Sequence, residues 1–326
     1  MVIGTASILA YTLFGGMWSV AMTTFVQMIV IVVGLLLVSG YAAGQAGGVV
    51  NVIASAHAEG KFAFLPEANL FDILGWTAAL FTMALGSVPQ QDVFQRVNSS
   101  KNETVAVWGT ALGGLSYFFF AAVPLFLAYS AKLVDPELVA RLAEVDSQLI
   151  LPRMILEHMP FYMQVIFFGA LLSVIMSTAS GTLLAPAVTF SENVLRPYFP
   201  GMTDSQFLWT TRVTVAAFTV IVTGYAIATD ATIHAMVENA YRITLAGAFV
   251  PLAAGLFWRR ASSFGASLAI VFGLSTWLIL EFRGYDGPGE PQLVGLFLSA
   301  FGMVVGSLVS PNRALPVAGK PQAATP

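Results

Sequence analysis

From Met17 to Tyr41 the chain carries no charged side chain, and from Val105 to Tyr129 it carries none again. Gln206–Ala228 holds one, Arg212. Runs of about 20 apolar residues are what a helix needs to cross a hydrocarbon layer about 30 Å thick. Several such runs make this chain a polytopic helical membrane protein. The composition agrees. Hydrophobic residues are 57% and charged residues 10%, with a mean hydropathy of +0.80; a soluble domain carries about 25% charged residues. A net charge of -3 identifies no partner when most of the surface faces lipid, and no basic cluster suggests nucleic acid. With no cysteine, disulfides and thiolate metal sites are excluded. His57, His158 and His234 are scattered, with no helical pair among them.

The pattern divides into a short apolar segment, Val2–Phe14, and eight spans at about 17–41, 71–90, 104–130, 161–190, 206–229, 232–257, 263–282 and 291–310. Turn and polar residues separate them: "FGG" at 14–16, "AEGKFAFLPEAN" at 58–69, "QRVNSSKNE" at 95–103 and "RPYFPGMTDS" at 196–205. The acidic, amphipathic stretch 131–160 reads as a short surface helix, and the Pro/Ala-rich tail 311–326 as disordered. The transmembrane domain is thus 1–310. Val2–Phe14 is too short to span and lacks the basic flank and cleavage site of a signal peptide, so it reads as the second half of a helix whose beginning is missing. Lys and Arg favour the cytoplasmic side. Arg96, Lys101, Arg196, Arg212, Arg259, Arg260, Arg313 and Lys320 fall on one side; Lys61, Lys132, Arg141, Arg153 and Arg283 fall on the other. The first side, with the C-terminus, is therefore expected to be cytoplasmic.

Three stretches carry chemistry. "VIMSTASGTLLAP" (174–186) sets hydroxyls into an apolar span. A hydroxyl in hydrocarbon must be hydrogen-bonded. One reading is back-bonding and close packing along the stripe Gly169, Ser173, Ser177 and Ser180. The other is a site for a monovalent cation, because the Val174 carbonyl and the Ser177 and Thr178 hydroxyls lie at i, i+3 and i+4 on one face. In "MALGSVPQQDVFQR" (83–96), Gly86 and Pro89 interrupt a span just before a polar cluster. Interrupted helices build substrate sites in secondary transporters, though a plain helix end fits too. In "AMVENAYRITLAGAFVP" (235–251), Glu238 and Arg242 are spaced to pair on one helix, as a structural pair or a proton relay.

Four blocks resemble the sodium:solute symporter family: "YTLFGGMWSVAMTTFVQ" (11–27), "QDVFQRVNSSK" (91–101), "FFGALLSVIMSTASGTLLAPAVTFSENVLRP" (167–197) and "GLFWRRASSFGA" (255–266). "GGMWSVAMT" and "FQRVNSS" look closest to its choline-transporter branch. The resemblance implies an all-α, leucine-transporter-like fold of two inverted five-helix repeats, held here in part. About eight full helices and one partial helix are present, and the first three core helices are missing. It implies sodium as coupling ion, no organic cofactor, and a sodium site using Ser177 and Thr178 with the Val174 carbonyl. That site's other half would come from helices not in this sequence. The family commonly has Thr-Asp where this chain has Thr23-Thr24.

The implied activity is symport of a small organic solute across a cell (inner) membrane, without enzymatic chemistry, and a chain of this extent alone is not expected to transport. A sensor or scaffold keeping the transporter fold, or a non-functional truncated product, are the alternatives. Gln90 stands where the choline branch looks to have Trp, and Gln91 matches a glutamine that recurs in the family. Two amides suit a hydroxyl, carboxylate or amide, whereas a quaternary ammonium is held by aromatic faces. Gln90 and Gln91 are therefore expected to bind a polar solute other than choline.

Overall fold

The computed structural model describes residues 2–310 except 286, 288 and 289; the tail expected at 311–326 lies outside the described residues. All regular structure among them is helical: α1 (Val2–Gln45), α2 (Val49–Ala58), α3 (Leu70–Ala84), α4 (Gln91–Asn98), α5 (Glu103–Phe120), α6 (Ala122–Val134), α7 (Pro136–Val145), α8 (Ile150–His158), α9 (Phe161–Phe190), α10 (Asp204–Ala228), α11 (Ile233–Thr244), α12 (Val250–Phe257), α13 (Ser263–Phe282) and α14 (Pro291–Val309). Polar caps start many of them. Asn69, Asn102, Thr203, Thr232 and Ser262 each accept a backbone N–H of the first turn, and Thr203 forms a reciprocal capping box with Gln206.

Seven segments are long and apolar enough to cross a membrane: 18–45, 103–134, 161–198, 204–228, 233–257, 263–282 and 291–309. The span expected at 71–90 differs. Its helix, α3, has 15 residues and stops at Ala84, because Gly86 and Pro89 cannot continue it. At the "FGG" stretch two helical segments of α1 meet across a kink at Gly16 (φ 54, ψ -156), a conformation glycine adopts without steric cost. The surface stretch 131–160 forms two helices, α7 and α8, rather than one.

The chain divides into two compact units. The first comprises residues 1–63 and 91–230. There α1 packs along α9, close enough that a Cβ on Gly34 would lie 3.1 Å from that of Ala170. Val38, Ala42, Leu127, Ala131, Met154, Ile155 and Phe167 form a core that draws α6 and α8 onto the same pair. Polar ties close the end of this core. Asp135 caps α7 by accepting the Leu138 N–H at 2.8 Å, and its other oxygen meets His158 Nε2 at 2.8 Å. These two contacts, the backbone one first, hold the Asp135 carboxyl below the ordinary carboxylate range. Gln45 Nε2 donates to the His158 carbonyl at 2.7 Å. Arg212, the one charge of the run Gln206–Ala228, sits in α10, and its Nε donates to the Leu13 carbonyl at 3.0 Å. That carbonyl lies just before the Gly16 break, where helical partners run out.

The second unit comprises residues 64–90 and 231–326. Its tightest pair, α13 and α14, meets through glycines. A Cβ on Gly302 would fall 2.9 Å from the Leu268 carbonyl oxygen, and one on Gly306 would fall 2.7 Å from the Gly265 Cα. Small residues at such contacts let backbones approach where lipid offers no hydrophobic drive. The segment between α11 and α12, Leu245–Phe249, is a π-helical turn buried against this pair; a Cβ on Gly273 would collide with the Ala246 carbonyl. Gly273→Ala is therefore expected to cost about 1–3 kcal/mol by overpacking. Gly109→Ala, whose Cβ would meet nothing within 4 Å, serves as control. Thermal melts in detergent check this: only the first variant melts lower.

Candidate functional site

Most hydroxyls along α9 are occupied within the helix. Ser173 donates to the Gly169 carbonyl (2.8 Å), Ser180 to Ser177 (3.1 Å), Thr182 to Thr178 (2.9 Å) and Thr189 to Ala185 (3.0 Å). Such back-bonds are what a membrane helix imposes on Ser and Thr. Ser177 and Thr178 do not follow the pattern. Ser177 Oγ donates outward to Thr24 Oγ1 over a long 3.4 Å, and Thr178 Oγ1 has no partner among the described residues. The Val174 carbonyl takes no side-chain hydroxyl either. Of the three oxygens singled out from sequence, two are thus the α9 hydroxyls that do not back-bond and the third is a carbonyl within the helix, a neutral, all-oxygen set. The other reading, back-bonding and close packing along Gly169, Ser173, Ser177 and Ser180, holds for the back-bonds of Ser173 and Ser180, while a Cβ on Gly169 would meet nothing within 4 Å.

Thr24 and Arg96 join the site from elements that the sequence did not connect to it. Thr24, noted as standing where relatives carry Asp, faces Ser177 across the α1–α9 contact. Its neighbour Thr23 is back-bonded to Ser19 at 2.8 Å. Arg96, in the last turn of α4, lies over Gly181, one turn beyond Ser177, with Nη2 2.5 Å from where a Cβ would be. Asp92 is its nearest carboxylate, at 3.8 Å. A cleft of about 610 Å³ gathers Val20, Thr24, Met28, Arg96, Tyr117 and Ser177. Only the missing Asp at position 24 gave the sequence any hint of this neighbourhood.

Gln90 and Gln91 fall in different units. Gln90 closes the irregular stretch after α3 and belongs to the second unit, whereas Gln91 opens α4 in the first. Gln91 lines another cleft, of about 340 Å³, with Pro186, Thr189, Asn193 and Phe218. Neither amide has a hydrogen-bond partner among the described residues. Glu238 and Arg242 pair as their spacing predicts, at 3.0 Å, and Arg242 also reaches Glu281 of α13 at 3.7 Å. His234 approaches Glu238 at 3.7 Å. So two of the scattered histidines sit beside carboxylates, His158 with Asp135 and His234 with Glu238.

Comparison with known proteins adds the family. Human "High affinity choline transporter 1" is 26% identical over 294 residues, 87% of this chain and 48% of that protein. The "Osmoregulated proline transporter" of Bacillus subtilis is 25% identical over 329 residues, 95% of this chain and 63% of the relative. The chain spans about half the length of the choline transporters it matches. Among solved structures, a sodium-coupled sialic acid symporter in its substrate-bound outward-open state superposes with a TM-score of 0.78 at 16% identity. It covers 96% of this chain and 67% of that one, which shows the shared leucine-transporter-like fold. The pattern of the "Sodium:solute symporter family" matches residues 1–273, and the chain belongs to that family.

Proposed function

We propose that the protein imports a small polar organic solute by coupling it to sodium entry, and that Ser177, Thr178 and the Val174 carbonyl supply one side of the coupling-ion site. The observation that carries this is the pair of α9 hydroxyls that do not back-bond, in a helix where their neighbours do. A sodium ion there would give both hydroxyl oxygens a partner, and would tie α9 to whichever helix completes the shell. Alternating access then follows from population shift: the ion favours the conformation in which its ligands converge. Family membership and the transporter relatives support sodium-coupled transport over a sensor or scaffold role.

The test is sodium-driven uptake by the full-length protein in proteoliposomes, with proline, sugars, short carboxylates and choline as candidate solutes. Ser177→Ala or Thr178→Ala removes one oxygen from a cation. A hydrogen bond or ligand contact to a charged group is worth about 1.5–3 kcal/mol, so the sodium half-saturation is expected to rise about tenfold or more. Unchanged sodium dependence in both variants would defeat the assignment. The unpartnered Gln91 amide, which shares a cleft with Asn193, favours a hydroxyl-, carboxylate- or amide-bearing solute, because it can both donate and accept a hydrogen bond. Tight competition by choline, undiminished in Gln90→Ala and Gln91→Ala, would contradict that part.

We also propose an inner-membrane setting with Arg96, Lys101, Arg259 and Arg260 on the cytoplasmic side, from the Lys/Arg distribution. The sequence has no cysteine, so single cysteines report without background. Ser99 and Ser147 are both exposed. In intact cells an impermeant thiol reagent is expected to label Ser147→Cys and to miss Ser99→Cys; the opposite pattern inverts the topology.

A further inference from the structure

The helix break after α3 leaves carbonyls that a continuous helix would have satisfied. In hydrocarbon each must find a donor. Phe81 O accepts the N–H groups of Leu85 (2.8 Å) and Gly86 (3.1 Å), Leu85 O accepts that of Val88 (3.2 Å), and Ala84 O accepts the Ser87 hydroxyl (3.0 Å). Gly86 O lies beyond the reach of these local donors. It accepts from Thr244 Oγ1, at the end of α11, at 2.5 Å. The approach is close enough that a Cβ on Gly86 would collide with the carbonyls of Thr82 and Tyr241. One turn earlier, Gln292 Nε2 of α14 donates to Thr82 Oγ1 at 3.3 Å, with both residues fully buried.

Thr244 has more acceptors than protons. Its single hydroxyl hydrogen is within reach of Gly86 O (2.5 Å), Tyr241 O (3.1 Å) and Ala240 O (3.2 Å). It can therefore bridge to the break or fold back onto its own helix, and is satisfied either way. Thr244 is also the last residue before the π-helical turn Leu245–Phe249, whose backbone is anchored against Gly273. π-turns shift the helical register and recur at functional sites. We infer that Thr244 is a positioning residue, a hydroxyl latch that fixes the helix break at Gly86 and can release it by exchanging one acceptor for another. The inference rests on the reading of this break as part of the transport path, since the break leads directly to Gln90. Release frees the Gly86 carbonyl, which then needs water, so the latch opens when the break becomes wet.

Hydrogen–deuterium exchange of the purified full-length protein, read without sodium or solute, tests the latch apart from the transport proposal. Thr244→Val keeps the shape and removes the hydroxyl. Amides of residues 81–90 are expected to exchange about fivefold faster, the effect of one average hydrogen bond on a local opening. Amides of α13 stay unchanged, and Thr244→Ser, which keeps the hydroxyl, restores the original rate at 81–90. Unchanged exchange at 81–90 in Thr244→Val overturns the inference. So does an equal rise across α13, which would mean general loosening, and so does a Thr244→Ser variant that behaves like Val.

Discussion

Hydrocarbon offers no hydrogen bonds, so every backbone carbonyl released by an interrupted helix must be met by the protein itself. This chain interrupts its helices at least twice, at Gly16 in α1 and at Gly86 after α3, and both breaks are sealed by a side chain from a distant helix. Arg212 Nε reaches the Leu13 carbonyl and Thr244 Oγ1 reaches the Gly86 carbonyl. The interruptions are therefore held open at defined places, and neither collapses into a random loop. Each sealed break also ties a sequence-distant helix to the point where the chain bends. The breaks and their seals together fix where the irregular backbone of this chain can lie.

The same constraint makes the hydroxyls of α9 informative. In a lipid-facing helix, Ser and Thr satisfy themselves by bonding back one turn, as Ser173, Ser180, Thr182 and Thr189 do. A hydroxyl that forgoes the back-bond carries a cost that a ligand can offset. Ser177 reaches only to Thr24 over 3.4 Å and Thr178 to nothing among the described residues. Position 24 then gains weight. A carboxylate there would bring a formal negative charge to the edge of Ser177, and this chain places a neutral hydroxyl instead. The α9 oxygens and Thr24 are then all neutral, and the Arg96 guanidinium lies one turn away over Gly181.

The helical class and most spans were legible because apolar runs of spanning length leave little choice, and the four motif blocks in order carried the family. The span at 71–90 was read too long because hydropathy does not register the break: Leu85 and Val88 continue the apolar character, while Gly86 and Pro89 end the helix. Ser177 and Thr178 could be named because hydroxyl spacing on one helix is a local property. Thr24 and Arg96 could not be placed beside them, since that depends on how α1 and α4 pack on α9. The partner of Arg212 could not be read from sequence for a related reason. A cation inside an apolar run looks like a boundary until the carbonyl it serves, 199 residues away, is seen. Thr244 looked like one more threonine in a helix, and its partner at Gly86 is visible only in three dimensions.

The claim on which the rest turns is that the two α9 hydroxyls that do not back-bond, Ser177 and Thr178, hold a sodium ion. The most direct measurement is the thermal stability of the full-length protein titrated with sodium chloride against equal potassium chloride. A ligand present at a hundred times its dissociation constant stabilises by about 2.7 kcal/mol. A sodium site at Ser177 and Thr178 predicts a sodium-specific rise in melting temperature that is lost in the double variant Ser177→Ala/Thr178→Ala. An identical sodium-specific rise in the double variant would contradict it.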